Sequence, residues 1–272
     1  MHEFRGGDVN TVADDLAYAV PLPARPTRVV SLVPSLTEAI AVSAPGLLVG
    51  ATDWCTHPAG LDVARVRGTK NPDRAAIAAL RPDLVVANKE ENRAHDVERL
   101  RADGIAVWVT DIVDVPSALA SMRRLFDVLV GATPDWLARA DDLWMSRPAD
   151  PADGGEPTAY GRVAVPIWRD PWMVVGGRTY TGDLLARLGF ANAFDDAARY
   201  PHVDLAAIDD PDLVDLVLLP DEPYAFTAAD GPEAFTRVPT VRVSGRLLTW
   251  YGPAMLDAHP LGCELRRAYR GE

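Results

Sequence analysis

The phrase Pro-Asp-Leu-Val occurs twice in this chain, at residues 82–85 and 211–214. Each copy follows an Ala-rich stretch of helical composition and runs on through apolar residues into an acidic loop, Asn88-Lys89-Glu90 in one case and Asp221-Glu222 in the other. A second short apolar run follows each, at 105–109 and 239–243. A local pattern that returns in the same context predicts two lobes on one plan, each copy opening a buried strand. Two such lobes would leave a cleft between them, and clefts bind ligands.

Composition narrows the partners. The 272 residues are 48% hydrophobic, enough for two modest cores, and carry a net charge of −12 with a pI near 4.8. No basic run exceeds Arg123-Arg124 or Arg266-Arg267, which argues against nucleic acid, whose phosphates demand clustered cations. No apolar run approaches membrane-spanning length, so no membrane insertion is expected. Residues 1–27 read as a leader holding three prolines near its end, without the apolar core of a signal peptide, which predicts a cytoplasmic protein. The two cysteines, Cys55 and Cys263, are expected as free thiols. Neither Cys-x-x-Cys nor a close His pair suggests a metal site. The oligomeric state is not legible.

Strand and helix patterns alternate at short intervals. Strands are expected at 28–33, 47–52, 84–87 and 105–109, and helices at 35 onward, 73–80, 95–103, 116–129 and 133–146. Ser35 with Glu38 reads as a capping box. The Pro-rich stretch 148–157 is the clearest linker. Beyond it come strands at 162–168, 213–219 and 238–243, a helix at 180–188, and a helical region 252–269 interrupted at Pro260. The expected fold class is α/β: two Rossmann-like βα lobes joined by a single linking helix, with the ligand cleft between them. The boundaries read as 1–131 for the N-terminal lobe with its leader, 132–156 for the linking helix and linker, and 157–272 for the C-terminal lobe.

Open α/β sheets bind ligands beyond the carboxyl ends of their strands. The residues that fall there are Trp54, Lys89, Glu90, Trp168, Arg169, Trp172, Glu222, Tyr224, Trp250 and Tyr251. Four of the seven tryptophans are among them, and these are expected to face one cleft. Aromatic walls with a few charges suit a flat or macrocyclic organic ligand. Enzyme signatures are missing: there is no Gly-x-Ser-x-Gly elbow, no phosphate-binding P-loop, and Gly176-Gly177 reads as a turn.

The segments 28–38, 80–85, 189–194 and 238–239 together resemble the vitamin B12-type periplasmic binding proteins, the helical-backbone metal receptor class, over most of the chain. Lys89-Glu90-Glu91-Asn92, residues 167–173 and Trp250-Tyr251-Gly252 resemble a subgroup without a proven ligand. The resemblance implies a rigid linking helix, here 133–146, and a solute-binding role beside an ABC permease. It places Trp54, Trp172 and Tyr200 where cobalamin binders carry aromatic residues, while Asn88 and Thr69 replace bulky aromatics. Cobalamin or another corrinoid is thus one candidate among small organic ligands. The positions at which transporting members present glutamates to the permease fall near Ala75 and Ala206, with Asp73 and Asp204 nearby, which disfavours a permease partner. The expected function is therefore ligand binding without catalysis and without coupled transport. The alternatives are an enzyme using Lys89, Glu90, Arg169, Asp170 or Glu222 as acid/base groups, and an interaction module that has lost its ligand.

Overall fold

Every strand of the two main sheets is short and laid parallel to its neighbours, and the central ones are apolar, as the alternation of strand and helix requires. The structure, a computed structural model, describes residues 9–145 and 159–272. The expected linker at 148–157 lies outside these residues. Contacts divide the chain into two compact units. Unit 1 holds the residues up to Ile112, Leu119–Ala138 and Tyr251–Pro253; unit 2 holds Val113–Ala118, Arg139–Trp250 and Ala254–Glu272.

In the first half the strands are β1 (Val9–Ala13), β2 (Ala19–Pro23), β3 (Val29–Ser31), β4 (Leu48–Ala51), β5 (Ala64–Arg65), β6 (Arg67–Gly68), β7 (Asn71–Pro72), β8 (Leu84–Asn88) and β9 (Val107–Thr110). The helices are α1 (Pro34–Ser43), α2 (Arg74–Ala79), α3 (Ala94–Ala102), α4 (Val115–Val130) and α5 (Asp135–Met145). The sheet of unit 1 runs β5-β4-β3-β8-β9, all parallel. β8 is buried at all five positions, so its run of Leu84, Val85, Val86 and Ala87 serves both faces. Val30, Leu32, Val85 and Val107 pack with Ile77 of α2 and Leu100 of α3 in the core.

The second half contains β10 (Arg162–Ala164), β11 (Pro166–Trp168), β12 (Met173–Val174), β13 (Ala191–Asn192), β14 (Leu216–Pro220) and β15 (Thr240–Val243). Its helices are α6 (Tyr180–Arg187), α7 (Leu205–Ile208), α8 (Gly245–Thr249), α9 (Ala254–Ala258) and α10 (Leu261–Arg270). The sheet runs β13-β10-β14-β15, again parallel. Once the two-residue edge strand β5 is set aside and the remaining strands of each main sheet are numbered by order of appearance, both sheets read 2-1-3-4, so the two-lobe plan is borne out as one topology used twice.

The repeat is real, but its register differs from the sequence reading. Asp83 donates its backbone N–H to the Arg28 carbonyl at 2.8 Å, and its carboxylate accepts the Arg28 N–H at 3.0 Å. Asp215, not Asp212, repeats both bonds with Arg162, at 2.8 and 2.7 Å. Each arginine also reaches back: Arg28 Nη2 donates to the Leu80 carbonyl at 2.7 Å, and Arg162 Nη1 to the Asp212 carbonyl. The same Arg/Asp latch thus joins the first and third strands of each unit. Pro211, Asp212 and Leu213 form the turn before the second latch, and the strand begins only at Leu216.

Four other expectations are corrected. The leader contains an antiparallel hairpin, β1 with β2, paired from Val9–Pro23 to Ala13–Ala19. Ser35 and Glu38 do not cap α1: it starts at Pro34 after an extended Val33, and both side chains are buried. The strand expected at 162–168 breaks at Val165, and Pro166–Trp168 folds back against Met173–Val174 instead; Pro166 has no N–H to continue the parallel ladder. Gly176-Gly177 is a close crossing. Gly177 N–H donates to the Ala197 carbonyl at 2.8 Å, and a Cβ on Gly177 would stand 2.0 Å from the Asp195 carbonyl oxygen.

Candidate functional site

In an open sheet of order 2-1-3-4 the chain leaves strands one and three in opposite directions, and a crevice opens beyond their carboxyl ends. In unit 1 those strands are β3 and β8; in unit 2 they are β10 and β14.

Two buried asparagines shape the loop after β8. Asn88 Nδ2 donates to Thr110 Oγ1 at 3.0 Å, and its Oδ1 accepts the N–H groups of Glu90 and Glu91 at 2.8 and 3.3 Å. Asn92 Oδ1 accepts the Asn88 N–H at 2.8 Å, while its Nδ2 donates to the carbonyls of Leu32 and Thr69. Asn88 therefore braces the loop from inside, a structural role for the polar residue that replaces a bulky aromatic of the resembling cobalamin binders. Lys89 pairs with Asp111 at 2.6 Å. The Glu90 carbonyl accepts Lys70 Nζ. Glu91 accepts the Tyr251 hydroxyl at 3.3 Å. Tyr251 is buried, and burial first, then the Glu91 charge, hold its phenol well above the usual value of 10. It stays a neutral donor. Trp54, in the loop after β4, is 66% exposed, and its indole crosses over Gly68, whose missing side chain leaves the space.

Unit 2 gathers an aromatic cluster around one arginine. Trp168, 47% exposed, meets the Tyr224 ring edge-on at 5.5 Å. Tyr224 packs on Phe226 at 4.7 Å, and Phe226 stacks on Trp172 at 5.9 Å with the planes 6° apart. Arg169 pairs with Asp230, with Glu233 at 2.7 Å and with Asp170 at 3.4 Å, and its guanidinium lies 5.2 Å over Trp172. The Glu233 hydrogen bond raises the Arg169 pKa, and the same bond lowers that of Glu233. Tyr224 donates to Asp230 at 2.7 Å, and that bond raises its pKa.

Glu222, two residues past β14, lies against Gly245, where a Cβ would stand 2.4 Å from Glu222 Cγ. Burial pushes the Glu222 carboxyl up, against a hydrogen bond from the Trp250 side chain that pulls it down. The Trp250 carbonyl accepts the Tyr180 hydroxyl at 3.4 Å.

The expected residues thus fall into two sets. Trp54, Trp168 and Tyr200 present large rings to solvent. Trp172 and Trp250 do not: both are buried, Trp172 in the apolar core of unit 2, because Phe226 and Phe235 flank it on two sides. Arg169 and Lys89 are engaged by carboxylates. Asp230 and Glu233 were not foreseen. They lie 61 and 64 positions from Arg169, and no local pattern links them to it. Among the described residues, no group of three or more His, Cys, Asp or Glu could hold a metal. Both cysteines are free thiols, Cys55 buried and Cys263 exposed.

No family model matches the chain. A vitamin B12-binding protein of Pectobacterium atrosepticum is 26% identical over 188 residues, 66% of this chain and 65% of that protein. The match therefore spans just under two thirds of the relative's length. Among solved structures, the periplasmic vitamin B12-binding protein BtuF of Vibrio cholerae superposes with a TM-score of 0.69 at 16% identity, over 92% of this chain and 100% of that one. The periplasmic haem-binding protein BhuT in complex with two haems gives 0.71 at 24% identity, over 89% and 98%. The resemblance read from the sequence is borne out: the chain has a B12-binding relative and shares the fold of the B12- and haem-type periplasmic binding proteins. These relatives are binding proteins by name. The two solved ones are periplasmic, which leans against the cytoplasmic expectation. No helix among the described residues is long and apolar enough to cross a membrane.

Proposed function

We propose that the chain is a solute-binding protein that holds a small organic ligand with extended apolar faces, of corrinoid or similar macrocyclic shape, without catalysing a reaction. The observation that carries this reading is the exposure of Trp54, 66%, in the loop after β4, and of Trp168, 47%, at the end of β11. An indole left in water at such a position is a large apolar face available for stacking. The binding names of the relatives, B12 in two cases and haem in one, support the ligand class. The acid/base alternative is less well supported, because Lys89 and Arg169 already sit in ion pairs.

The test is quenching of tryptophan fluorescence by cyanocobalamin and by hemin. Saturable quenching with one of them is expected, weakened about tenfold by Trp54→Ala or Trp168→Ala, in keeping with loss of a stacked ring and its buried area. Failure of both probes to bind would remove the macrocycle reading.

We further infer that the protein does not dock on a permease in the manner the resemblance implies. Ala75 and Ala206 are exposed and carry no charge to set register. No binding to a reconstituted B12-type permease is expected at physiological salt; a saturable complex would refute this.

A further inference from the structure

We propose that unit 1 carries a second binding site, for a small multivalent anion, in a groove of about 410 Å³ among β6, β7, α2 and α3. Five cations line it, Arg67, Lys70, Arg74, Arg93 and Arg99, against two carboxylates, Asp73 and Asp96. In a chain of net charge −12 this is a local reversal of sign. Such a reversal concentrates anions that the rest of the surface repels.

The groove is built from three directions. Lys70 is held in place by the Glu90 carbonyl, an uncharged partner that leaves its charge uncancelled. Arg67 and Arg74 are pinned by carboxylates at 3.6 and 2.6 Å. Arg93 and Arg99 have no carboxylate within 4.0 Å among the described residues, and both are exposed. Arg93 is the residue just before α3 and Arg99 lies within it, and both line the groove with Asp96 between them in sequence. Two uncommitted guanidinium groups, each a planar fork of donors, match the paired oxygens of a phosphate or carboxylate. A ligand with several such groups would reach more than one cation at once. The exposed setting makes the binding salt-dependent.

The site uses none of the residues proposed to stack on the solute, so it stands or falls separately. Isothermal titration of the full chain with inorganic tripolyphosphate and, in parallel, with citrate at low salt tests it. One saturable equivalent is expected for at least one of them, and the better binder identifies phosphate or carboxylate as the preferred chemistry. Affinity should fall about tenfold in the Arg93→Ala/Arg99→Ala variant, equal to roughly 1.4 kcal/mol. It should be unchanged in Arg242→Ala/Arg270→Ala, which removes the same charge from unit 2. Equal losses in both variants would mean diffuse attraction and overturn the site. So would absence of binding to the wild type, or binding of a hexaglutamate peptide with neither small anion.

Discussion

Asp14 shows how much one side chain can organise without leaving a trace in local sequence. Its carboxylate, fully buried, accepts N–H groups of Leu16 and Tyr18 within the hairpin turn, the Val109 N–H of β9, and Arg101 Nη2 of α3 at 2.9 Å. Asp14→Ala is expected to cost about 3 kcal/mol, since it strands a partly buried guanidinium and three N–H donors. Urea unfolding checks this; a loss below about 1 kcal/mol would mean that water replaces the carboxylate. Glu222 works in the other direction. Its folded pKa lies above the ordinary 4.5, so the folded chain binds a proton more tightly than the unfolded one. Stability therefore falls as pH rises from below 4.5 through the raised value. Glu222→Gln keeps an acceptor for the Trp250 indole and loses the charge, so a higher Tm at pH 7 and a flatter pH profile are expected. An unchanged profile in thermal scans across that window would remove burial of Glu222 as the cause. Asp15 and the Arg169 partners were illegible for the same reason as Asp14: their bonds span dozens to about a hundred positions, as from Asp15 to Ser121.

Elements were legible where apolar runs were long and turns well marked. The strands at 84–88 and 107–110, the helix at 180–187 and the interruption at Pro260 follow from burial period, capping and proline chemistry. Thr179 caps α6 by accepting the Gly182 N–H at 3.2 Å. The hairpin at 9–23 was hidden because its proline-rich second strand lacks strand-like propensity, and its pairing with β1 supplies the stability instead. The repeat misled by three residues because Pro-Asp-Leu-Val marks a strand in one unit and a turn in the other. What the two units share is the latch, and its partners lie 55 and 53 positions apart. Asp83→Ala and Asp215→Ala should each destabilise by about 1–3 kcal/mol, the range for hydrogen bonds to a charged group. Asp215 adds a pH signature. Hydrogen bonding to Arg162 first, with its charge, lowers the folded pKa below 3.8. Its contribution is present above 3.8 and lost as pH falls through the lowered value. Acid titration by circular dichroism should show that loss in the wild type and not in Asp215→Ala.

At the scale of the whole chain, class and topology could be read, and ligand chemistry only in outline. Doubling of a βα pattern constrains topology strongly, because parallel strands need crossovers and crossovers have one hand. Which loop tryptophans stay exposed depends on partners such as Phe226 and Phe235 that sequence order does not bring near Trp172. The same distance problem hid the basic groove, whose cations come from 67–74 and 93–99 within an acidic chain.

Tyr251 belongs by its contacts to unit 1, 160 positions after the Glu91 that it meets. Chains usually fold from the amino end as they leave the ribosome, each domain settling before the next is made. Unit 1 cannot follow that order to completion. Its sheet can form early, but the place of Tyr251 stays empty until translation has passed residue 251. Arrested nascent chains ending at residue 250 should therefore leave unit 1 more open to protease than chains released at full length. Equal protection of the two would show that unit 1 matures without its late segment Tyr251–Pro253.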